Sequence, residues 1–454
     1  MLVAKIFSVL GNPQSLVPLA IKDSANIAGM TGASAVTSKE EARDRLIDEV
    51  GTGAVWLGAI PLYKKVVDKT VFKVAGYDAN YDVRNLKNSE VFEQTKKYAP
   101  TDKIKSEIEK IGENKKVFKG LNAAKFVIAT GAALATYNII TDMKQKYTHN
   151  RIKSKLLKQE EEKSIALMAQ SAAHTKKSDA VYSNVAKVRN HDNAKTGNVN
   201  FKGGFDVMLD PVKNMMVFDA GITGERLGKS RSPQEFVGYA IKEGGFWAFM
   251  YFLGKKIQDH FENVADTKHN KNIGLDARVI ENENFKQAFA DKSIEKSLNE
   301  FNTKMSDKEL YEFIHNNPEN MVVDVAKQSD IIQTYKKPKK WYQIFNKAED
   351  TGKIDTRKYI DLDDVRGTHE KMSKLYKQFN ESSQTVDEFF HDVRKLKRGS
   401  VLKNMGSTIF ALGIVLPGIM LADRLLKPGN KEFAVEKHVK EQLAKEKAEK
   451  QQAA

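Results

Sequence analysis

Four segments of the chain are apolar around the whole circumference of a helix rather than along one stripe. They lie at about 50–66, 120–142, 235–256 and 403–423, and long charged stretches separate them. A helix that is apolar on every side is either buried in a large core or inserted in a membrane. The pattern therefore predicts a mainly α fold in which these helices are shielded from water together.

The four segments form two pairs, which indicates an internal duplication with two apolar helices per repeat. "GTGAVWLGAIPLYKK" (51–65) aligns with "EGGFWAFMYFLGKK" (243–256), and "FVIATGAALATYNIITD" (126–142) aligns with "TIFALGIVLPGIMLAD" (408–423). The first alignment matches Trp56 with Trp247, Lys64 with Lys255 and Lys65 with Lys256.

The match continues before each first apolar helix. "DSANIAGMTG" (23–32) resembles "DAGITGERLG" (219–228), which pairs Asp23 with Asp219, and the glycines favour a loop in both copies. A Ser-x-x-Glu follows each of these segments, and this spacing is that of a capping box at the start of a helix. The capping pairs are Ser38 with Glu41 and Ser232 with Glu235.

A third match follows the first apolar helix of each copy. "DVRNLKNSEVFEQ" (82–94) resembles "DARVIENENFKQ" (276–287), so that Asp82 and Arg84 correspond to Asp276 and Arg278. Retention of both residues favours a shared structural task, such as a turn or an ion pair. The alternative is a polar site at the interface between the repeats.

These matches divide the chain into five parts. The first repeat is 1–150, a charged helix and polar linker is 151–204, and the second repeat is 205–430 with a helical insert at 288–397. In the insert, Ser306 with Glu309 and Thr385 with Glu388 have capping-box spacing. The tail, 431–454, is charged, with a thin apolar seam at Val435, Val439 and Leu443.

The ends of the apolar helices favour insertion in a membrane. Each end carries lysine or arginine, and Trp56, Tyr63, Trp247 and Tyr251 are placed like the aromatic anchors of a membrane interface. A spanning helix needs about 20 apolar residues, and the two first helices are shorter than that. A soluble bundle in which the four helices form one core therefore stays the alternative, as does peripheral attachment.

Composition narrows the chemistry. The formal net charge of +15 favours anionic partners, either lipid headgroups or nucleic acid, although 59 acidic residues are interspersed with 74 basic ones. The chain has no cysteine, which excludes disulfides, thiolate catalysis and iron–sulfur clusters. No paired histidine spacing indicates a metal site, and no cofactor is expected.

One segment resembles a phosphate-binding loop. "NMMVFDAGITGERLGKS" (214–230) has an apolar run, a glycine-rich stretch and a terminal Gly-Lys-Ser, so Gly224, Gly228, Lys229 and Ser230 are candidates for holding a nucleotide. The P-loop pattern needs a glycine five positions before Gly228, where this chain has threonine. A loop before a helix cap is the competing interpretation.

A basic, aromatic segment, "YKKPKKWYQ" (335–343), completes the candidates. It suits an anionic membrane surface with Trp341 at the interface, together with the lysines at the helix ends, and nucleic-acid binding is the weaker alternative. The expected protein is thus a non-enzymatic structural or interaction protein of a plasma or inner membrane, with large cytoplasmic parts. The alternatives are a soluble cytoplasmic interaction protein, a transporter or channel of two repeats, and a nucleotide binder. A protein partner or a second copy of the chain fits either of the first two.

Overall fold

The computed structural model describes residues 2–12, 15–171, 209–337, 349–426 and 433–453, and these are mainly helical. The predicted fold class, mainly α, is confirmed. Within those ranges the strands are β1 (Thr334–Lys336) and β2 (Asp350–Ile354), which pair antiparallel. This hairpin lies in the insert, which the sequence predicts to be helical throughout.

The described ranges contain twenty α-helices. The first eight are α1 (Leu2–Gly11), α2 (Leu16–Thr37), α3 (Lys39–Ala54), α4 (Ile60–Val67), α5 (Lys73–Ala75), α6 (Ser89–Lys97), α7 (Asp102–Glu113) and α8 (Lys115–Ser171). The next eight are α9 (Pro211–Gly228), α10 (Pro233–Trp247), α11 (Gly254–His269), α12 (Ala277–Ile280), α13 (Glu283–Ala290), α14 (Ser293–Glu300), α15 (Asp307–Asn316) and α16 (Met321–Gln328). The last four are α17 (Leu362–Asn380), α18 (Val386–Phe410), α19 (Leu416–Leu426) and α20 (Ala434–Ala453).

Short π-helical segments interrupt the predicted apolar helices. Val55–Ala59 joins α3 to α4, Ala248–Leu253 joins α10 to α11, and Ala411–Val415 joins α18 to α19. A π-helical turn inserts an extra residue into the hydrogen-bond ladder and turns the side chains beyond it to a different face. Three of the four apolar helices are therefore continuous rods with a local change of face, and the fourth lies within α8 without such a segment.

The apolar helices pack into one bundle, which comprises α2–α4, α8–α11, the end of α18 and α19. Its core contains Trp56, Tyr137, Phe218, Phe246 and Leu412, one from each of five rods. α2 packs against both α3 and α18–α19, and α9 packs against both α10 and α8. α2, from the first predicted copy, thus contacts the second apolar helix of the second copy, and α9, from the second copy, contacts that of the first. This exchange suits a duplicated chain, and the duplication itself stays a prediction.

A second unit, the helical domain, comprises α6–α7 and α12–α17 with the hairpin. Its main core is built largely from the insert and includes Phe285, Phe289 and Phe390, with ring centroids about 5–6 Å apart. The connector of the first copy joins this unit, since the Asp82 amide donates to the Arg357 carbonyl over 2.8 Å. The connectors of both copies and the insert are therefore one folded unit beside the bundle.

The matched Asp-x-Arg residues form the same kind of capping turn in both places. Asp82 caps a short 3₁₀ turn, and its Oδ1 accepts from the Arg84 amide over 2.9 Å. Asp276 caps α12 in the same way, accepting from the Arg278 amide over 2.8 Å. In each case the arginine guanidinium also returns to the aspartate carboxylate. A third copy, Asp355 with the Arg357 amide at 3.1 Å, was not recognised in the sequence.

The prediction of glycine-containing loops before the capped helices is wrong. Residues 23–32 and 219–228 lie inside α2 and α9, so the glycines are helical. One of them serves helix packing, because a Cβ on Gly29 would lie 2.2 Å from the carbonyl oxygen of Gly413. Gly29 therefore allows two backbones to approach closely rather than turn the chain.

Helix capping agrees with the sequence in the insert and in part elsewhere. Ser306 and Thr385 form complete capping boxes with Glu309 and Glu388. Ser38 and Ser232 accept from the amides of Glu41 and Glu235 as expected, over 3.3 and 3.1 Å. The two glutamate side chains do not return to the serine amides, however, because arginines in the bundle bind them.

The charged tail forms α20 and packs against α8. Its seam of Val435, Val439 and Leu443 lies against Ile152 and Leu156. By length and composition alone, two helices of the described ranges, 115–166 and 386–426, could cross a membrane, a criterion that the core helix of a soluble protein also meets.

Candidate functional site

The interior of the bundle contains charged side chains that contact one another. Six cations and six anions take part, and most of them are almost fully shielded from solvent. We call this set the charge cluster. Its cations are Arg45, Lys144, Arg226, Arg231, Lys242 and Arg424, and its anions are Glu41, Asp44, Asp48, Glu49, Glu235 and Glu243.

Arg226 of α9 stands at the centre of the cluster. One guanidinium nitrogen lies 3.0 Å from Asp48 Oδ2 and 3.3 Å from Glu49 Oε2, and another contacts Glu243. The guanidinium also donates to the Thr52 hydroxyl over 2.9 Å and to the Tyr137 hydroxyl over 3.0 Å. A buried guanidinium is stable only when its donors are satisfied in this way.

Two buried lysines extend the cluster on either side of Arg226. Lys242 Nζ lies 2.6 Å from Glu49 Oε1 and 3.0 Å from Glu243 Oε1. Lys144 Nζ lies 3.1 Å from Asp48 Oδ1 and 3.8 Å from Asp44 Oδ2. Each of these lysines therefore joins two carboxylates.

The cluster continues to the end of the bundle where α2 meets α3 and α9 meets α10. Arg231 binds Asp44 over 2.9 Å and also Glu235. Arg424 of α19 binds Glu41, which explains why that glutamate leaves its capping serine. This outer end is less buried than Arg226, so the cluster leads from the solvent-facing end of the bundle into its interior.

Helical spacing brings the charges to one face of each helix. On α3, Glu41, Asp44, Asp48 and Thr52 recur at intervals of three or four residues, which places them on one side, and Glu49 adjoins Asp48. Sequence reasoning missed this set, which lies in "KEEARDRLIDEVGTG" (39–53). The detectable signal was a polar stripe at helical spacing that leads directly into a run without charges.

Asp23 and Asp219 stand apart from the twelve paired charges. Both line a small cavity of about 10 Å³, deeper in the bundle, which we call the carboxyl cavity. Asp219 accepts from the Tyr251 hydroxyl, whereas Asp23 makes no hydrogen bond or ion pair with any described residue. The structure thus brings together two residues that the sequence paired only as repeat equivalents.

The candidate phosphate loop does not form. Gly224 and Gly228 lie within α9, and Lys229 and Ser230 follow its end, so no strand precedes a glycine-rich loop. The Lys229 ammonium lies 2.7 Å from Asp142 Oδ1 and also contacts Asn138 of α8. The backbone amides that would surround a phosphate are instead used in the helix.

The two tryptophans have different surroundings. Trp56 is only 4% exposed and belongs to the bundle core, so its predicted place as an interfacial anchor is wrong. Trp247 is half-buried and donates to the Thr223 hydroxyl over 3.3 Å. Trp56 follows its capping serine by eighteen residues and Trp247 by fifteen, so helix position does not support their alignment.

The predicted interfacial lysines lie where the apolar faces end. Lys65, Lys255 and Lys256 are exposed, and Lys64 is half-buried. Trp341 lies outside the described residues. Among the residues the structure describes, no group of three or more His, Asp or Glu side chains is arranged to hold a metal ion.

Comparison with protein-family models, with curated proteins and with solved structures finds no match to this chain. The geometry and charge distribution of the bundle are therefore the basis on which its function is inferred.

Proposed function

We propose that the chain is a membrane-embedded helical bundle that anchors the helical domain at the membrane surface, in a structural rather than enzymatic role. The observation that supports this is the distribution of exposed apolar side chains. Large apolar residues that are more than about a third exposed occur on α1 and on the bundle helices and their extensions, for example Leu57, Ile139 and Ile414 at more than 50%. Within the described ranges, none lies between residues 75 and 116 or between 254 and 401, which include the helical domain.

Five rods also contain stretches in which no charged residue is more than about a third exposed. Each of these stretches comprises about 20 residues, which corresponds to about 30 Å of helix, the thickness of the hydrocarbon core of a bilayer. The stretches are 17–36 on α2, 44–64 on α3–α4, 117–141 on α8, 236–254 on α10–α11 and 404–426 on α18–α19.

The interior of the bundle supports the same proposal. Beside the apolar core around Trp56, charged side chains are buried and paired there, while other leucine, isoleucine, valine and phenylalanine residues of the same helices face outward. A water-soluble bundle favours the opposite arrangement, with charges outside and apolar residues inside. Ionisable side chains at membrane depth face the interior of a bundle and pair with one another, as they do around Arg226.

The helical domain supplies the water-side part of the proposed protein. Its apolar residues lie in its own core or pack against the ends of α4 and α8, and its surface is charged, as expected for a domain in contact with water. The exposed lysines at 65, 255 and 256 adjoin the uncharged stretches, where they would meet anionic headgroups. Anionic lipid is therefore the proposed partner of the bundle. The charged surface of the helical domain is compatible with a protein ligand.

Cysteine labelling tests the proposal directly, because the chain has no cysteine of its own. Ile139→Cys and Ile414→Cys place single thiols on the uncharged faces, and Lys296→Cys places one on the helical domain, where the lysine side chain is 82% exposed. In membranes from expressing cells, we expect a membrane-impermeant maleimide to label Lys296→Cys when it has access to that side. The two isoleucine variants should be labelled only after detergent is added.

Extraction completes this test and separates the soluble alternative. Retention in the membrane pellet after carbonate treatment supports embedding. Release of the chain by carbonate or high salt, with both isoleucine variants labelled in the released fraction, would refute the proposal. Protection of the same positions in a released, lipid-free fraction would instead indicate a soluble oligomer that covers the apolar faces.

A transporter of two repeats is the second candidate function. The specific observation that favours it is the set of buried acids, since Asp23, Asp48, Glu49, Asp219 and Glu243 all face the bundle interior. Reconstitution in vesicles that contain a pH-sensitive dye tests it. An imposed pH difference that collapses no faster with the protein than in empty vesicles would argue against proton transport.

A further inference from the structure

The carboxyl cavity contains more negative than positive charge. Its ionisable lining residues are Asp23, Glu49, Asp219 and Glu243 against Arg226 and Lys242. The two glutamates pair with the two cations. Lys242 contacts both carboxylates and Arg226 contacts Glu49, over distances of 2.6–3.3 Å. The carboxyl groups of Asp23 and Asp219 are left without a cation, and each residue is more than nine-tenths buried.

The cavity and an unpartnered side chain make this more than a cluster of acids. Asp23 is 7% exposed and lines the cavity, yet it makes no hydrogen bond or ion pair with a described residue. One helical turn further on, Asn26 is fully buried, and neither its Nδ2 nor its Oδ1 has a partner. A volume of about 10 Å³ is the space of a single water molecule.

A buried carboxylate without a cation or several hydrogen bonds is unfavourable, and the usual relief is to bind a proton. We propose that the carboxyl cavity is a proton-binding site in which the side chains of Asp23 and Asp219 hold protons and exchange them with water. The step is balanced by simple transfer: a proton leaves a water molecule or hydronium ion and forms an O–H bond on a carboxylate oxygen.

The groups around the cavity set the conditions for this exchange. α3 contributes Glu49, and α9 contributes Arg226 in addition to Asp219. α10 contributes Lys242 and Glu243, and the π-helical segment after α10 contributes the Tyr251 hydroxyl. On α2 itself the neighbouring Lys22 lies against Gly254 of α11 and not among the lining residues.

A chain of polar contacts leads from the cavity to the end of the bundle. Glu49 and Asp48 share the Arg226 guanidinium, Lys144 joins Asp48 to Asp44, and Asp44 contacts Arg231 at the less buried end. This chain places polar side chains continuously between the cavity and the less buried end of the bundle. The inference goes beyond anchoring, because proton binding by the pair does not depend on the role of the helical domain.

Infrared spectroscopy of the full chain in lipid nanodiscs tests the proposal, since a protonated carboxyl group has a carbonyl stretch that a carboxylate lacks. We expect this band in the wild type near neutral pH, sensitive to exchange into heavy water and lost on titration to higher pH. Asp23→Asn and Asp219→Asn should each remove about half of it, and the double variant all of it. The control Asp142→Asn, at an exposed ion pair, should leave the band unchanged.

Three outcomes decide the question. A band that behaves as expected supports the proposal. Absence of the band in a wild type that is folded, as shown by its helical circular dichroism, would overturn it, as would a band that survives in the double variant. Loss of the band when sodium replaces choline at constant pH would show that the cavity takes a metal cation in place of protons, which also overturns it. Retention in carbonate-washed membranes is measured separately, so failure here does not depend on failure of the anchoring proposal.

Discussion

Glu49 and Glu243 bind the same two cations at the centre of the bundle. Lys242 Nζ lies 2.6 Å from Glu49 Oε1 and 3.0 Å from Glu243 Oε1, and the Arg226 guanidinium contacts both carboxylates. Each glutamate follows its helix-capping serine by eleven residues. Residues at the same distance from the capped starts of α3 and α10 therefore share these two cations.

Removal of the central guanidinium should destabilise the bundle strongly. In Arg226→Met, Asp48, Glu49 and Glu243 lose a shared partner while they stay buried, and such a loss typically costs about 3–5 kcal/mol. We expect a clear fall in the denaturant midpoint of the purified protein in detergent. Lys229→Ala, which breaks the partly exposed pair with Asp142, should cost under about 1 kcal/mol. Equal effects of the two substitutions would contradict the central role of Arg226.

Two glycines of α2 should respond to alanine with opposite signs. A Cβ at Gly29 would lie 2.2 Å from the Gly413 carbonyl oxygen, so Gly29→Ala must push two helices apart, at a cost of about 1–3 kcal/mol or more. Gly32 has no atom within 4 Å of its Cβ position, and alanine there favours the helix by about 0.5–1 kcal/mol. Thermal unfolding of both variants measures the difference. A stable Gly29→Ala variant would show that the close approach of α2 to the segment before α19 is absent.

The helical domain should lose stability in mild acid through His315. Its ring is stacked between Tyr98 and Tyr311 at centroid distances of 4.4 and 4.6 Å, and burial lowers the pKa of His315 to about 4. The unfolded chain binds this proton near pH 6.5 and the folded domain only near pH 4, so the stabilisation is present above pH 6.5 and is lost as the pH falls toward 4. The contribution is up to about 3 kcal/mol.

The measurement is the denaturant midpoint of the full chain between pH 7 and pH 4, followed by the fluorescence of the helical domain. His315→Phe keeps an aromatic ring in the stack but cannot bind the proton, so its midpoint should fall less steeply with pH than that of the wild type. His391→Phe, at an exposed position, should retain the wild-type slope. The same slope in His315→Phe would assign the acid sensitivity to other groups.

Docking of the tail on α8 should depend on one buried valine. Val439 is fully buried against Ile152 and Leu156 of α8. Val439→Asp places an unpaired carboxylate in this apolar contact and should release α20. Hydrogen exchange of the tail amides should then become fast while the bundle stays protected. Lys445→Asp, on the exposed side of the same helix, should leave the exchange slow. Fast exchange already in the wild type would mean that the tail does not dock.

Local patterns of the sequence predicted local structure well. The capping residues Ser306 and Thr385 and the paired turns at Asp82 and Asp276 follow from hydrogen bonds that span only two or three residues. Such contacts form within one helical turn, so the spacing of the residues along the sequence is enough to predict them. The glycines at 29 and 221 were misjudged because glycine permits both a loop and a close helix contact, and the choice between them depends on a distant partner.

The candidate site could be predicted only in part. The sequence paired Asp23 with Asp219, but it assigned them to loops and did not reveal that Asp48, Glu49, Lys144 and Arg226 are buried together. Charged residues ordinarily lie in solvent, and whether a charge is buried depends on the helices that cover it. The prediction of Trp56 as an interfacial anchor was wrong for a similar reason, since Trp56 is buried in the core by other helices.

The sequence by itself determined that this chain is mainly helical, with four apolar segments between charged stretches and no thiol chemistry. These properties depend on composition and on periodicity along one helix. The tertiary structure alone decided which face of each helix points inward, and so placed the charges of α3, α8, α9 and α10 around Arg226. That choice is made by the packing of helices distant in sequence, because a buried charge is tolerated only where its partner from another helix arrives at the same point.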